Sequence, residues 1–236
     1  MSYLDLMGFG PTGWGAAMVA ATVVTLEVAL SAVAIGAVLG CAVAAAKLSA
    51  SRPLRAIGDV YTTVLRGVPD LLVIYLVYFG GSAIVTKLAQ AMGQGGFLGV
   101  PSFLAGALAC GLVSAAYQAE VFRGATLAVP RGQIEAARAL GMGGALRFRR
   151  ILAPQIVAFA LPGLGNVWQL ALKESALISV TGLVELLRES QIGAGSTRQP
   201  FAFYMTAGAL YLVLTTASTF LFNRAEFRMM RPLRRL

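Results

Sequence analysis

Histidine is absent from this chain of 236 residues, and only two cysteines, Cys41 and Cys110, occur. Without histidine no Ser/His/Asp set can form, and no Cys/His cluster is left to hold zinc. Each cysteine lies inside an apolar run and reads as a small hydrophobe, not as half of a disulfide. Neither a Gly-x4-Gly-Lys-Ser/Thr phosphate loop nor a Gly-x-Ser-x-Gly elbow is present. No metal, no cofactor and no ATP site are therefore expected on this chain, and an intramembrane enzyme has no nucleophile or metal set to work with. Met1 to Gly15 hold one charge, Asp5, and no basic residue. A cleaved secretory signal is not expected, and insertion falls to the first apolar run.

Charge is scarce too. Only 12% of residues are Asp, Glu, Lys or Arg, against about 25% in a soluble domain. What is there instead is apolar: 58% of the chain, with a mean hydropathy of +0.76. A net charge of +9 raises the question of nucleic acid. The basic residues, however, sit between apolar runs, where the positive-inside rule puts them, so the lipid bilayer is the expected partner and nucleic acid is not.

Five apolar runs cover about 17–46, 61–79, 101–117, 156–180 and 201–222. Each has at least the ~17 residues of a short membrane-spanning helix; the first, roughly 45 Å at 1.5 Å per residue, is longer than the ~30 Å hydrocarbon core needs. Gly80, Gly81 and Ser82 are expected to end the second, and Pro162 and Gly163 to interrupt the fourth. Residues 182–200 read as a connecting stretch. Ala32, Gly36, Gly40 and Ala44 recur every fourth residue along the first run, a small-residue stripe that lets another helix approach closely. The expected fold is an all-α integral membrane protein, one domain over 1–236 with its core at 17–222.

Lysine and arginine set the orientation. Three follow run one (Lys47, Arg52, Arg55), six follow run three and five follow run five (Arg224, Arg228, Arg231, Arg234, Arg235), while one (Lys87) follows run two and two (Arg188, Arg198) follow run four. The N-terminus is expected outside and the C-terminus in the cytoplasm.

The loop at 123–154 is long and carries its own structure. Pro130 fits the first turn of a helix over 131–140, and Gly141 fits its stop. Glu135 lies beside Ala136, Ala137 and Ala139, a small-residue face that can press into a groove on a partner.

These residues also carry a likeness. Glu135-Ala136-Ala137, then Gly141, Ile151 and Pro154, resemble the EAA loop of bacterial ABC-importer permeases. Ala153 departs from that pattern, which has a large apolar residue there. Leu65-Arg66-Gly67-Val68-Pro69, Ala119-Glu120-Val121-Phe122-Arg123-Gly124 and Leu172-Lys173-Glu174-Ser175-Ala176-Leu177 look like the polar amino acid permeases, and residues 19–222 are covered. Arg66-Gly67-Val68-Pro69-Asp70 and Gly165-Asn166-Val167-Trp168-Gln169 are most similar to the first permease of histidine/lysine/arginine/ornithine and opine systems.

The resemblance implies a type I ABC importer transmembrane domain in the bacterial inner membrane. It implies a cytoplasmic ATP-binding subunit dimer, a paralogous permease and an external solute-binding protein as partners. Glu135, Ala136, Ala137, Arg138, Gly141 and Pro154 would then form the coupling element, with Glu135 as the anchor. The cargo implied is a basic amino acid or opine; glutamine, glutamate or another polar amino acid is the alternative. A self-sufficient transporter or channel would need neither the loop nor partners, and no inverted repeat supports one.

Ionisable side chains inside a span cost at least ~2.5 kcal/mol each and need a reason. Glu27 shares a helix face with Ser31; it either faces a path for cations or pairs with a partner subunit or Lys173. Asn166, Gln169 and Lys173 form one stripe, which faces a path or an interface. Glu174 points about 100° from Lys173, with Ser175 beside it. Glu120 and Arg123 read as a tie between the loop and nearby segments. Arg66 and Asp70, a turn apart, form an ion pair or flank a hinge at Gly67 and Pro69.

Overall fold

The structure is a computed structural model that describes residues 3–93 and 95–231. Arg234 and Arg235 of the basic tail lie outside the described residues. Among the described residues, a helical turn at Tyr3–Leu6 is followed by eight helices: α1 Gly15–Leu48, α2 Arg52–Gly67, α3 Asp70–Ala91, α4 Ser102–Ala128, α5 Arg131–Ala139, α6 Gly144–Thr181, α7 Leu186–Thr197 and α8 Pro200–Met230. Five of these, α1, α3, α4, α6 and α8, are long and apolar enough to cross a membrane.

Helices α1 and α4 form the central pair. Ala32, Gly36, Gly40 and Ala44 of the stripe are all buried. Gly36 and Gly40 meet an α4 face built from Ser114, Ala115, Gln118 and Ala119, and Ala32 shares a buried cluster with Ala109. In lipid such a contact is held by close van der Waals packing, because hydrocarbon tails are as apolar as the side chains they would replace. Gln118 crosses it, donating from Nε2 to the Val33 carbonyl at 3.0 Å and to Ser114 Oγ at 3.0 Å.

The second span differs from expectation. Residues 61–67 end the separate helix α2, and the span is Asp70–Ala91, which runs straight through Gly80, Gly81 and Ser82. Pro69 makes the break: Val68 and Pro69 are extended, with ψ of 140° and 131°. Gly80 and Gly81 do not break the helix, since without competing water the backbone keeps its own hydrogen bonds. A π-turn at Leu76–Gly80 takes up the local irregularity. Helices α4 and α8 likewise outrun their apolar stretches, to Ala128 and Met230. Hydropathy marks the hydrocarbon core, while polar residues carry the helix on into water. Pro162 lies inside α6, which continues past it to a 3₁₀ segment at Ser175–Thr181.

The stretch 182–200 is also more ordered than a plain connection. It contains α7, packed under α8 so closely that the Phe203 ring fills the space a side chain at Gly193 would take. Leu6, Met18, Leu186, Phe203 and Ala207 form one buried cluster there, and Trp14 meets the Phe203 ring edge-on at 5.4 Å.

A Cβ at Gly40 would stand 3.0 Å from the Ala115 carbonyl oxygen, a backbone atom that cannot swing away. Gly40→Val is expected to cost about 1–3 kcal/mol, read as a lower thermal aggregation temperature in detergent. Gly208→Val, with open space around it, should leave that temperature unchanged. Equal shifts in the two variants would show that the α1–α4 approach is not close.

Candidate functional site

The loop helix α5 begins after Pro130 and stops at Gly141, whose φ of +74° is the left-handed conformation that glycine adopts without strain. Gly141 N donates to Arg138 O at 2.9 Å and Met142 N to Ala137 O at 3.0 Å, closing the C-terminal turn. Ala137 is buried against the turn that follows, whereas Glu135, Ala136, Arg138 and Ala139 are exposed, as is Leu140 at 82%. Pro154 is exposed at the start of the regular part of α6. The helix therefore shows its Glu-Ala face outward and uses Ala137 to sit on its own chain. Gln155 Nε2 donates to Gln133 Oε1 at 2.6 Å, which ties α5 to α6.

At this same end of the bundle, Lys47 closes α1 with its side chain nearly buried, 9% exposed. It bonds Glu120 of α4, Asp59 of α2 at 3.0 Å and Thr62 Oγ1 at 2.7 Å. Arg123 completes the cluster, its Nη2 2.8 Å from Glu120 Oε2. Glu120 and Arg123 thus clamp the end of α1 to the middle of α2 and to α4, and their contacts are with these helices and not with α5. Lys47 was visible in the sequence only as one count in the charge asymmetry, since nothing local links it to a residue 73 positions away.

Arg66 and Asp70 do not form a salt bridge. The break at Val68–Pro69 separates them into two helices, and the Arg66 guanidinium lies 5.3 Å from the centroid of the Tyr117 ring. Asp70 instead lies near the carboxyl of Glu174, close enough for the two acids to act on each other, with Cys110 beside them. Glu174 is 4% exposed, and its Oε1 has no partner among the described residues. Ser175, fully buried, turns its hydroxyl back to the Leu172 carbonyl at 2.8 Å.

The polar stripe of α6 divides. Asn166 and Gln169 line a hollow of about 220 Å3 between α6 and α8, with Thr219, Asn223 and Glu226 opposite. Gln169 Nε2 reaches Thr219 Oγ1 at 3.0 Å while its Oε1 stays unpaired. Lys173 is exposed beyond that hollow, and Glu27 lies on an exposed face of α1. Among the described residues these two form no salt bridge, with each other or elsewhere.

Glu185 was not singled out from the sequence. It is fully buried and caps α7, accepting from Leu187 N at 2.9 Å and Arg188 N at 2.8 Å, with Tyr211 Oη at 3.3 Å. Burial pushes its carboxyl up from the ordinary range, against the downward pull of those two backbone donors. Glutamate is an uncommon cap, so sequence offered little signal.

A family model described as "Binding-protein-dependent transport system inner membrane component" matches residues 32–231, nearly the whole chain. The chain belongs to this family. It is a permease subunit of an ABC importer, multi-pass in the inner membrane. The octopine transport system permease protein of Rhizobium radiobacter is 60% identical over 235 residues, covering 100% of this chain and 99% of that protein. The nopaline transport system permease protein of Agrobacterium fabrum is 50% identical, with 94% and 95% covered. The histidine/lysine/arginine/ornithine transport system permease protein of Escherichia coli is 40% identical, with 87% and 90% covered. Among solved structures, an amino acid ABC transporter crystallised with histidines matches at TM-score 0.77 and 34% identity, covering 91% of this permease and 95% of that chain. The MetNI methionine transporter matches at TM-score 0.74 and 19% identity, which speaks for the fold alone. Membership sets aside the self-sufficient transporter or channel.

Proposed function

We propose that this permease passes opines and basic amino acids inward across the bacterial inner membrane, driven by ATP hydrolysis on a separate subunit dimer. The observation that carries the cargo is the meeting of Glu174 and Asp70 inside the bundle, with one carboxylate oxygen of Glu174 unpaired. Two acidic groups in a low-dielectric setting favour a guanidinium or ammonium group between them. Full-length likeness to octopine, nopaline and basic amino acid permeases supports the same chemistry. Lys173 then offers a cation to the cargo's carboxylate, and Glu27, Asn166, Gln169 and Ser175 belong to the polar path or to the seam with a paralogous permease. An external solute-binding protein delivers the cargo. Helix α5 docks on the ATPase through Glu135, Ala136 and Arg138. ATP binding closes the ATPase dimer, and the pair of permeases rocks between inward- and outward-facing states, a two-state element biased by a ligand that prefers one state.

For the cargo, uptake of labelled arginine and octopine into cells is measured with glutamine and glutamate as competitors. Arginine is expected to compete with octopine, and Glu174→Gln to lower arginine uptake at least about tenfold, the weight of a charge-assisted hydrogen bond. Competition by glutamine in place of arginine would transfer the assignment to neutral cargo.

Reversing the charge on the docking face by Glu135→Lys should abolish uptake while membrane insertion persists. Normal uptake in that variant would remove α5 from the coupling role.

We further propose that the basic end, with α5 and the end of α8, faces the cytoplasm, on the strength of the lysine and arginine distribution. Ser82 is buried and would be a poor reporter; Phe97, 78% exposed, and the exposed Arg228 serve better. A cysteine replacing Phe97 should react with an impermeant maleimide on intact cells, and one replacing Arg228 only after lysis. The reverse pattern would invert the topology.

A further inference from the structure

We propose that the hydrogen bond between Gln133 and Gln155 is the strut through which α5 moves α6, so that both glutamines are positioning residues for transport. The inference rests on the coupling role proposed above for α5.

A short glycine-containing turn also joins the two helices. Gly141 and Gly143 lie in it and Gly144 opens α6, and apart from adjacent backbone nothing stands within 4 Å of where their Cβ atoms would lie. A glycine-rich link bends under load and transmits displacement poorly. On its other side α5 is attached through Val129, which is buried at 4% exposure, so the helix has a packed pivot at one end. Among the described residues, the bond from Gln155 Nε2 to Gln133 Oε1, at 2.6 Å, is the one side-chain hydrogen bond that α5 makes. Gln133 is half-buried and sits two residues before the exposed Glu135. A push on the docking face therefore reaches α6 through a short, directed contact.

The receiving end is suited to carry it onward. Gln155 stands in the first turn of the segment Ala153–Glu174, and its amide also donates to the Ile151 carbonyl at 2.9 Å, which fixes the side chain on its own helix. The π-turn Phe148–Leu152 just before it adds a residue to the turn and so sets the face on which Gln155 emerges. From Gln155 to Glu174 the helix rises about 28 Å. One rod thus joins the loop to the acidic pair.

Stability does not account for Gln155. The residue is 8% exposed and its Oε1 is buried with no hydrogen-bond partner among the described residues. An unpaired buried acceptor costs free energy that an apolar side chain of similar size would not. A glutamine that loosens its own site is better explained by the bond its Nε2 makes.

The experiment uses the complete importer, purified with its partner subunits and reconstituted in proteoliposomes. It compares Gln155→Leu, Gln133→Leu, the double variant and Gln133→Glu, which keeps the acceptor oxygen. The readout is cargo accumulated per ATP hydrolysed, beside complex assembly and melting temperature. Each leucine variant is expected to lower that ratio about fivefold, the weight of one hydrogen bond. The double variant should fall no further, and Gln133→Glu should keep the wild-type ratio. Assembly and melting temperature should hold in all four. An unchanged ratio in the leucine variants, losses that multiply in the double variant, or loss of assembly would each overturn the strut. Failure of the underlying coupling reading shows separately, as a normal ratio in Glu135→Lys.

Discussion

Everything in this permease hangs on the close approach of α1 and α4. Small residues bring the two backbones together, and Gln118 bridges them through the Val33 carbonyl. At the basic end of the pair, Lys47 and Glu120 close the contact with a nearly buried ion pair. Each member keeps a second partner, Asp59 for Lys47 and Arg123 for Glu120, so the charges are held by a cluster and not by one bond. Its value here is geometric. It locks the end of α1 to the middle of α2 and to α4 in one register.

On that frame α6 is the element that connects distant parts. It starts in the loop and ends beside Asp70. Its contact with α4 is tight at Gly163, where a Cβ would meet Val121 at 2.8 Å. Pro162, one residue earlier, removes a backbone donor and weakens the ladder at the same height. A rod gripped at its weak point can tilt about that point. The short 3₁₀ segment and α7 then cap its far end, with Glu185 joining α7 to Tyr211 of α8 and the Thr25 hydroxyl of α1 bonding Leu186 N at 3.1 Å.

Much of this was legible in the sequence, for physical reasons that differ by residue. The five spans were readable because hydropathy reports the hydrocarbon core. The close helix pair was readable because four-residue spacing of small side chains has few other uses. The loop helix was readable because Pro130 and Gly141 mark its ends by backbone chemistry alone. The second span was misplaced because Gly80 and Gly81 signal a turn in water and not in lipid. The Arg66–Asp70 pair failed because Pro69 ends a helix more firmly than a favourable ion pair holds one. Lys47 with Glu120, Gln133 with Gln155 and Glu174 with Asp70 were out of reach as pairs. Each joins residues far apart in the chain, and a single sequence carries no sign of which buried groups meet.

Lys173 and Glu174 show how differently two adjacent charges can be placed. They are neighbours in the chain, and the helix turns them about 100° apart. One is exposed and the other is buried against a second acid. An exposed ammonium in a span, with Asn166 exposed on the same helix, cannot rest against lipid without a large penalty. That face must meet water or protein. Glu174 faces the interior of its own chain, where Asp70 and Cys110 already surround it. The two neighbouring charges therefore stand in different surroundings: Glu174 in the interior of this chain, and Lys173 on a face open to whatever fills the space beside α6.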